Sequence, residues 1–287
     1  MVRERATKLL GIGAIVASTL VAQSRTEYHF LVGPKAGVSV SNPYGSISVK
    51  PSTDNQVVVN AVVHSGKVEV DKSQNGNRVD IRSHLLAGAD SQSGRVDYDV
   101  QVPADASITL HCSDGSLRAE RLRGDVSLEG AGAVVDVRDI DDGHVHVKTM
   151  NGTVNLSNIQ NGHVEVDSLS GDVTLNGVTG PLVQVVSTSG RINYIGDFGN
   201  SGEYRLTSHS GDIDASIPEW TSAEVSARSV RGEVRDDIPL QPKAHTWFPL
   251  DKGRAFVGTM GRVAVSSTVV LRTFSGKIHL SKRSDKQ

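Results

Sequence analysis

The chain has 287 residues, 30 Lys and Arg against 32 Asp and Glu for a formal net charge of −2, 37% hydrophobic and 4% aromatic residues, 29 Gly and one Cys. This near-neutral balance leaves no basic footprint for nucleic acid and no acidic tail, and a lone cysteine excludes an intrachain disulfide framework and a cysteine-rich zinc module. Glycine at about a tenth of the chain, above the usual ~7%, with so few aromatics, points to tight turns and small core side chains rather than a large ligand pocket.

Residues 1–24, MVRERATKLLGIGAIVASTLVAQS, start with Arg3, Arg5 and Lys8 and run into an apolar stretch from Leu9 to Ala22. That stretch is shorter than the ~20 residues of a spanning helix and fits the core of a signal peptide, with Ala22 and Ser24 as small residues for cleavage. An uncleaved N-terminal anchor or a buried helix is the alternative. No Cys directly follows the run, which excludes a lipoprotein anchor. The mature chain is therefore expected to be exported: periplasmic, in the cell envelope, or secreted.

Residues 25–102 read as an N-terminal β segment and cap. They hold the alternating runs QVVVNAVVH from Gln56, KVEV from Lys67, RVDIRSHL from Arg78 and RVDYDVQV from Arg95, with NGN at 75–77 as a hairpin turn. From Pro103 to residue 235 one pattern recurs: Gly, a polar residue, an aliphatic residue, a polar residue and an apolar residue. It appears as GDVSL from Gly124, GHVHV from Gly143, GTVNL from Gly152, GHVEV from Gly162, GDVTL from Gly171, GRINY from Gly190 and GDIDA from Gly211. Taking every second apolar centre yields two series, Val126, Val145, Val164, Val183 and Val135, Val154, Val173, Ile192, each stepping by about one coil of 19–21 residues.

The expected fold is all-β, a single-stranded β-solenoid (β-helix-like) with two strands and a short third side per coil. One such coil loses more backbone entropy than its few inward aliphatic residues return, so coils must stack on one another. A meander sandwich also suits nine-residue strand spacing, but hairpins need no such register between MNGTVNL, LSGDVTL and TSGRINY. Residues 236–287 break the period at Pro239, Pro242 and Pro249 before TVVLRTFSGKIHL resumes it as closing strands. Both irregular ends are expected to cap the open edges of the sheet.

A segment VQVPADASITLHCSDGSL followed by SG[DKR]-hydrophobic-x-hydrophobic repeats and a closing VVLRTFSGKIHL resembles the bacterial putative-adhesin family, a DUF4097-like β-solenoid domain, over roughly residues 36–282. The resemblance implies an exported binding or structural module of the envelope. It supplies no catalytic residues.

Candidate chemistry is sparse. With Val145, Val147, Val164 and Val166 inward, His144, His146, His163 and Glu165 share an outer face, with His144 beside His163 and His146 beside Glu165, a donor set of the type Zn²⁺ takes. Carboxylates stack as well. Asp172, Arg191, Asp212 and Glu233 are expected in one outer column, with Thr174, Asn193, Asp214 and Arg235 beside it. An acidic cluster on a β-helix face is one route to a polysaccharide-acting enzyme, but Arg191 between two carboxylates reads as a solvated charge ladder.

No phosphate-binding loop, nucleophile elbow or calcium-binding repeat is present in the sequence. Cys112 should face inward as a small core residue. Trp247 and Phe248 in the interrupting segment either anchor a partner or fold over the last coil. The expected function is a non-catalytic interaction or structural module without a cofactor. Its partner would be an envelope or surface component, protein or glycan; nucleic acid is not expected, and membrane contact only through an uncleaved N-terminal segment.

Overall fold

The computed structural model describes residues 24–199, 201–238, 241–242, 253–261 and 267–283. Every element in them is a strand. The N-terminal part holds β1 (Ser24–Leu31), β2 (Gly37–Pro51), β3 (Gln56–Val63), β4 (Val68–Asn75), β5 (Arg78–Leu85) and β6 (Val96–Val102). The repeat follows as β7 (Ser107–Glu120), β8 (Val126–Gly130), β9 (Val134–Asp141), β10 (His144–Thr149), β11 (Val154–Gln160), β12 (His163–Ser168) and β13 (Val173–Val178). It continues through β14 (Leu182–Ser187), β15 (Ile192–Ile195), β16 (Glu203–Ser208), β17 (Ile213–Ile217), β18 (Ala223–Ser229) and β19 (Val234–Asp236). The C-terminal part holds β20 (Gln241–Pro242), β21 (Ala255–Met260), β22 (Ser267–Thr273) and β23 (Ile278–Lys282).

The architecture is a long parallel sheet of 16 strands that curls nearly round an axis, with a small N-terminal β sheet beside it. The two apolar series form its two inner walls. β8, β10, β12 and β14 stack in parallel with Val126, Val145, Val164 and Val183 in register. On the other wall β9, β11, β13 and β15 align Val135, Val154, Val173 and Ile192. All eight side chains are at most 1% exposed. Alternation puts one face of each strand into this core and the other into water, so the strict polar–apolar pattern sets the side every residue faces.

The corner between the walls explains the recurring glycine. Thr149, Ser168, Ser187, Ser208, Ser229 and Thr273 are buried there. Each bonds through its hydroxyl with the glycine three residues on: Ser168 Oγ donates to the Gly171 carbonyl at 2.8 Å, and the Gly211 amide donates to Ser208 Oγ at 2.8 Å. At Gly152, Gly171, Gly190, Gly211, Gly276 and Gly232 an added Cβ would stand closer than 3.0 Å to a carbonyl oxygen of the neighbouring coil. The motif Ser/Thr-x-x-Gly is thus a packing requirement of the corner.

Both ends depart from chain order. β2 lies between β7 on one side and β5 and β6 on the other, all parallel, so residues 78–102 stack outside residues 37–51. The small sheet closes antiparallel through β4 on β5, β3 on β6 and β1 on β3, with Gly76 at φ 57° in the expected hairpin turn.

At the other end β22 enters between β16 and β18, and β23 between β17 and β19. The closing strands are therefore the penultimate coil. Residues 223–236 form the last one, covered by antiparallel β21, which in turn pairs with β20. In-order stacking would set Val225 directly on Tyr204, whereas Val269 stands between them.

Inside the N-terminal sheet, Asp97 accepts bonds from the Ser46 amide at 2.8 Å and its hydroxyl at 2.7 Å, and meets His64 Nε2 at 2.7 Å and Arg95 Nε at 3.1 Å. Burial raises the pKa of this carboxyl, but these bonds outweigh it and hold the group below its ordinary 3.8. A depressed folded-state value stabilises fully above 3.8 and loses that contribution as pH falls through the lower folded value. Acid titration of Asp97→Asn, followed by melting temperature, should show a flatter fall below pH ~4 than the parent, and lower stability at pH ~7.

Cys112 is fully buried, as its place in the alternation required, and its thiol donates to the Gly45 carbonyl at 3.4 Å. Burial pushes its pKa up to about 11. Thiol reagents at pH ~8 should therefore leave the native chain unlabelled and modify it only on unfolding; rapid labelling under native conditions would contradict this placement.

Candidate functional site

Because the inside is filled by side chains, chemistry is confined to the outward columns. On the first wall His144 stands across from His163 and His146 from Glu165, as their spacing implied. The imidazoles of His144 and His163 lie 4.6 Å apart between centroids, tilted by 33°, and His146 Nδ1 is 3.4 Å from Glu165 Oε2. The convergence into one metal-binding set does not occur: among the described residues no three His, Cys, Asp or Glu side chains stand together as such a group. Facing coils are ~4.8 Å apart, but alternate residues on one strand are ~7 Å apart, so the four side chains settle as two separate pairs.

On the second wall the expected carboxylate column is corrected by the inserted coil. The Arg191 amide donates to Asp172 at 2.9 Å and the Lys277 amide to Asp212 at 2.8 Å, while the Ile278 amide donates to the Glu233 carbonyl. The order is Asp172, Arg191, Asp212, Lys277, Glu233. Arg191 also reaches Asp212 at 3.6 Å and Asp214 at 3.7 Å. In the next column His279 enters between Asp214 and Arg235, 2.8 Å from Asp237. Stacked in chain order, Asp212 and Glu233 would be adjacent like charges; insertion of Lys277 restores alternation.

The first wall carries a second ladder, His111, Glu129, Lys148, Asp167, in which Lys148 stands between two carboxylates. It then runs through Val186 and Thr207 and ends in Arg272 and Arg228, paired directly across β22 and β18. Beside them lies Arg205, whose Nε donates to Glu203 at 2.7 Å. Among the described residues neither the Arg228 nor the Arg272 guanidinium has a hydrogen-bond or ion-pair partner. Gln184, Val186, Glu203, Arg205, Thr207, Val270 and Arg272 line an open groove of about 420 Å³ here.

Sequence reasoning missed this groove because Arg272 is 44 positions from Arg228 in the chain and reaches it only through coil insertion. The signal was the sign clash between Asp212 and Glu233, which called for a cation between them. Trp247 and Phe248 lie outside the described residues, as does the whole N-terminal apolar run from Leu9 to Ala22.

A family profile described as Toastrack DUF4097 matches residues 38–247. Solved structures similar to the chain include a putative cell adhesion protein from Clostridium sporogenes, 12% identical, covering 91% of this chain and 100% of that one with a TM-score of 0.27. Another is a putative adhesin from Bacteroides fragilis, also 12% identical, covering 91% of this chain and 98% of that one with a TM-score of 0.43. No curated protein matches the chain.

Proposed function

Because the chain belongs to the Toastrack DUF4097 family, we propose that it is an exported, non-catalytic β-solenoid of the bacterial cell envelope that acts as an interaction or structural module. The observation that carries this reading is the stacking of outward side chains into cross-coil columns, on walls whose strands are held in register by continuous parallel ladders. A surface of this kind is preorganised: its side chains are spaced by the backbone, so a partner binding along it pays little ordering entropy. The charged start and apolar run of residues 1–24 support export. Alternating charge along Asp172, Arg191, Asp212, Lys277 and Glu233 favours a solvated ladder over a carboxylate pair poised for hydrolysis.

The test is to incubate the labelled full chain with purified wall glycan, with lipid vesicles and with solubilised envelope proteins, and to assay glycan turnover in parallel. Saturable binding to one of these without turnover is expected. Absence of binding to all three, or turnover that vanishes in Asp172→Asn or Asp212→Asn, would overturn the reading.

A further inference from the structure

The ligand-binding surface is the groove over β14, β16 and β22, and we propose that it holds a segment of an acidic glycan, with an anionic group of the sugar seated at the groove's edge between Arg272, which lines it, and Arg228 across from Arg272 on β18. This rests on the reading of the chain as an envelope interaction module and gives it a site and a ligand class.

Three observations converge on it. The outer ladders show how this fold disposes of fixed positive charge elsewhere: Arg191 stands between Asp172 and Asp212, and Lys148 between Glu129 and Asp167. Arg228 and Arg272 break that rule as directly opposed like charges, an arrangement that is unfavourable in the free protein and is relieved by an anion between them. Guanidinium groups suit this role because their planar forks bind carboxylate, sulfate or phosphate oxygens bidentately.

The third observation is the groove itself. It is an open groove of about 420 Å³, long enough along the sheet face for a short stretch of a chain. Val186 and Val270 supply an apolar floor for the carbon face of a sugar ring, while Gln184 and Thr207 offer amide and hydroxyl groups to ring hydroxyls. A membrane or a nucleic acid fits less well. Glu203 lines the same groove, and Glu165 and Asp167 lie on β12, next to β14, so a broad polyanion spreading from the arginines across β16 towards β12 would meet repulsion that a short segment seated at the arginines avoids.

Calorimetric titration of the full chain with tetragalacturonate tests the proposal, with a neutral galactose tetramer, phosphatidylglycerol vesicles and a single-stranded oligonucleotide as parallel arms. Binding of tetragalacturonate is expected, weakening with added salt and at least tenfold weaker in Arg228→Gln/Arg272→Gln. Arg138→Gln, an exposed arginine on the other wall, should bind as the parent does. The double variant should melt no lower than the parent, since it removes opposed like charges. Thr207→Glu leaves both arginines in place and sets a carboxylate beside them, so it too should abolish binding without lowering the melting temperature.

Equal affinity for the neutral tetramer, full affinity in the double variant, no binding by the parent, or tighter binding to vesicles or oligonucleotide would each overturn the site. If the parent still binds an envelope fraction while ignoring tetragalacturonate, the site falls and the interaction module stands. If it binds no envelope fraction at all, the wider reading falls as well.

Discussion

Gly171→Ala is expected to lower stability by about 3–5 kcal/mol, seen as a fall of roughly 6–20 °C in melting temperature. The added methyl group would stand closer than 3.0 Å to the Gly152 carbonyl oxygen. That oxygen belongs to backbone locked by the next coil and cannot swing away as a side-chain tip would. Relieving the clash means separating two coils at the corner, which costs about 1–3 kcal/mol of overpacking. It also strains the buried bond from Ser168 Oγ to the Gly171 carbonyl and its ladder neighbours, at about 1 kcal/mol each. Gly37→Ala is the control, because nothing lies within 4 Å of the added group; it should be neutral or stabilising by at most about 1 kcal/mol. Similar melting temperatures for the two variants would refute the corner as the reason for the glycine.

Removal of residues 267–287 should abolish cooperative folding rather than shorten the solenoid by one coil. Among the described residues β18 and β19 join the rest of the parallel sheet only through β22 and β23. Val269, Leu271, Ile278 and Leu280 are buried in that inserted coil, and at ~1.5–3 kcal/mol per aliphatic side chain their loss amounts to about 6–12 kcal/mol. A whole domain is stable by only about 5–15 kcal/mol. The truncated chain would also expose the edges of β16 and β17, ready to pair with other copies. Far-UV circular dichroism and light scattering check this: loss of the melting transition with aggregation is expected. A soluble product that melts within a few degrees of the parent would mean that residues 223–236 can stack directly on residues 203–217, and the insertion would not be what holds the end together.

Coil insertion has a physical logic visible in the charges. Lys277 separates Asp212 from Glu233, so one coil placed out of order restores alternation in that column of the second wall. The same placement opposes Arg272 and Arg228 on the first wall. One wall gains compensation while the other is left with a cationic pair, and that asymmetry is the basis for assigning the binding groove to the first wall.

Much of this was legible in the residues themselves. Strict alternation along GHVHV and GHVEV told which side chains enter the core, because a strand's period of two leaves no freedom once one face is apolar. The step between Val126, Val145, Val164 and Val183 gave the coil length and register, and hence the pairing of His144 with His163 and of His146 with Glu165. Local signals carry this information because each coil contacts only its immediate neighbours.

Order along the axis was a different matter. Stacking free energy depends on which aliphatic and charged residues face one another, and nothing in a nearest-neighbour pattern requires the next coil in space to be the next in sequence. β2 inside β5 and β6, and β22 and β23 inside β18 and β19, were settled by tertiary pairing. So was the meeting of Arg205, Arg272 and Arg228. The sequence alone determined the class of fold, the inward and outward faces and the corner glycines, since these follow from local periodicity and steric contact. The tertiary structure alone decided the sequence of coils at both ends and the groove they create, since these depend on contacts between segments far apart in the chain.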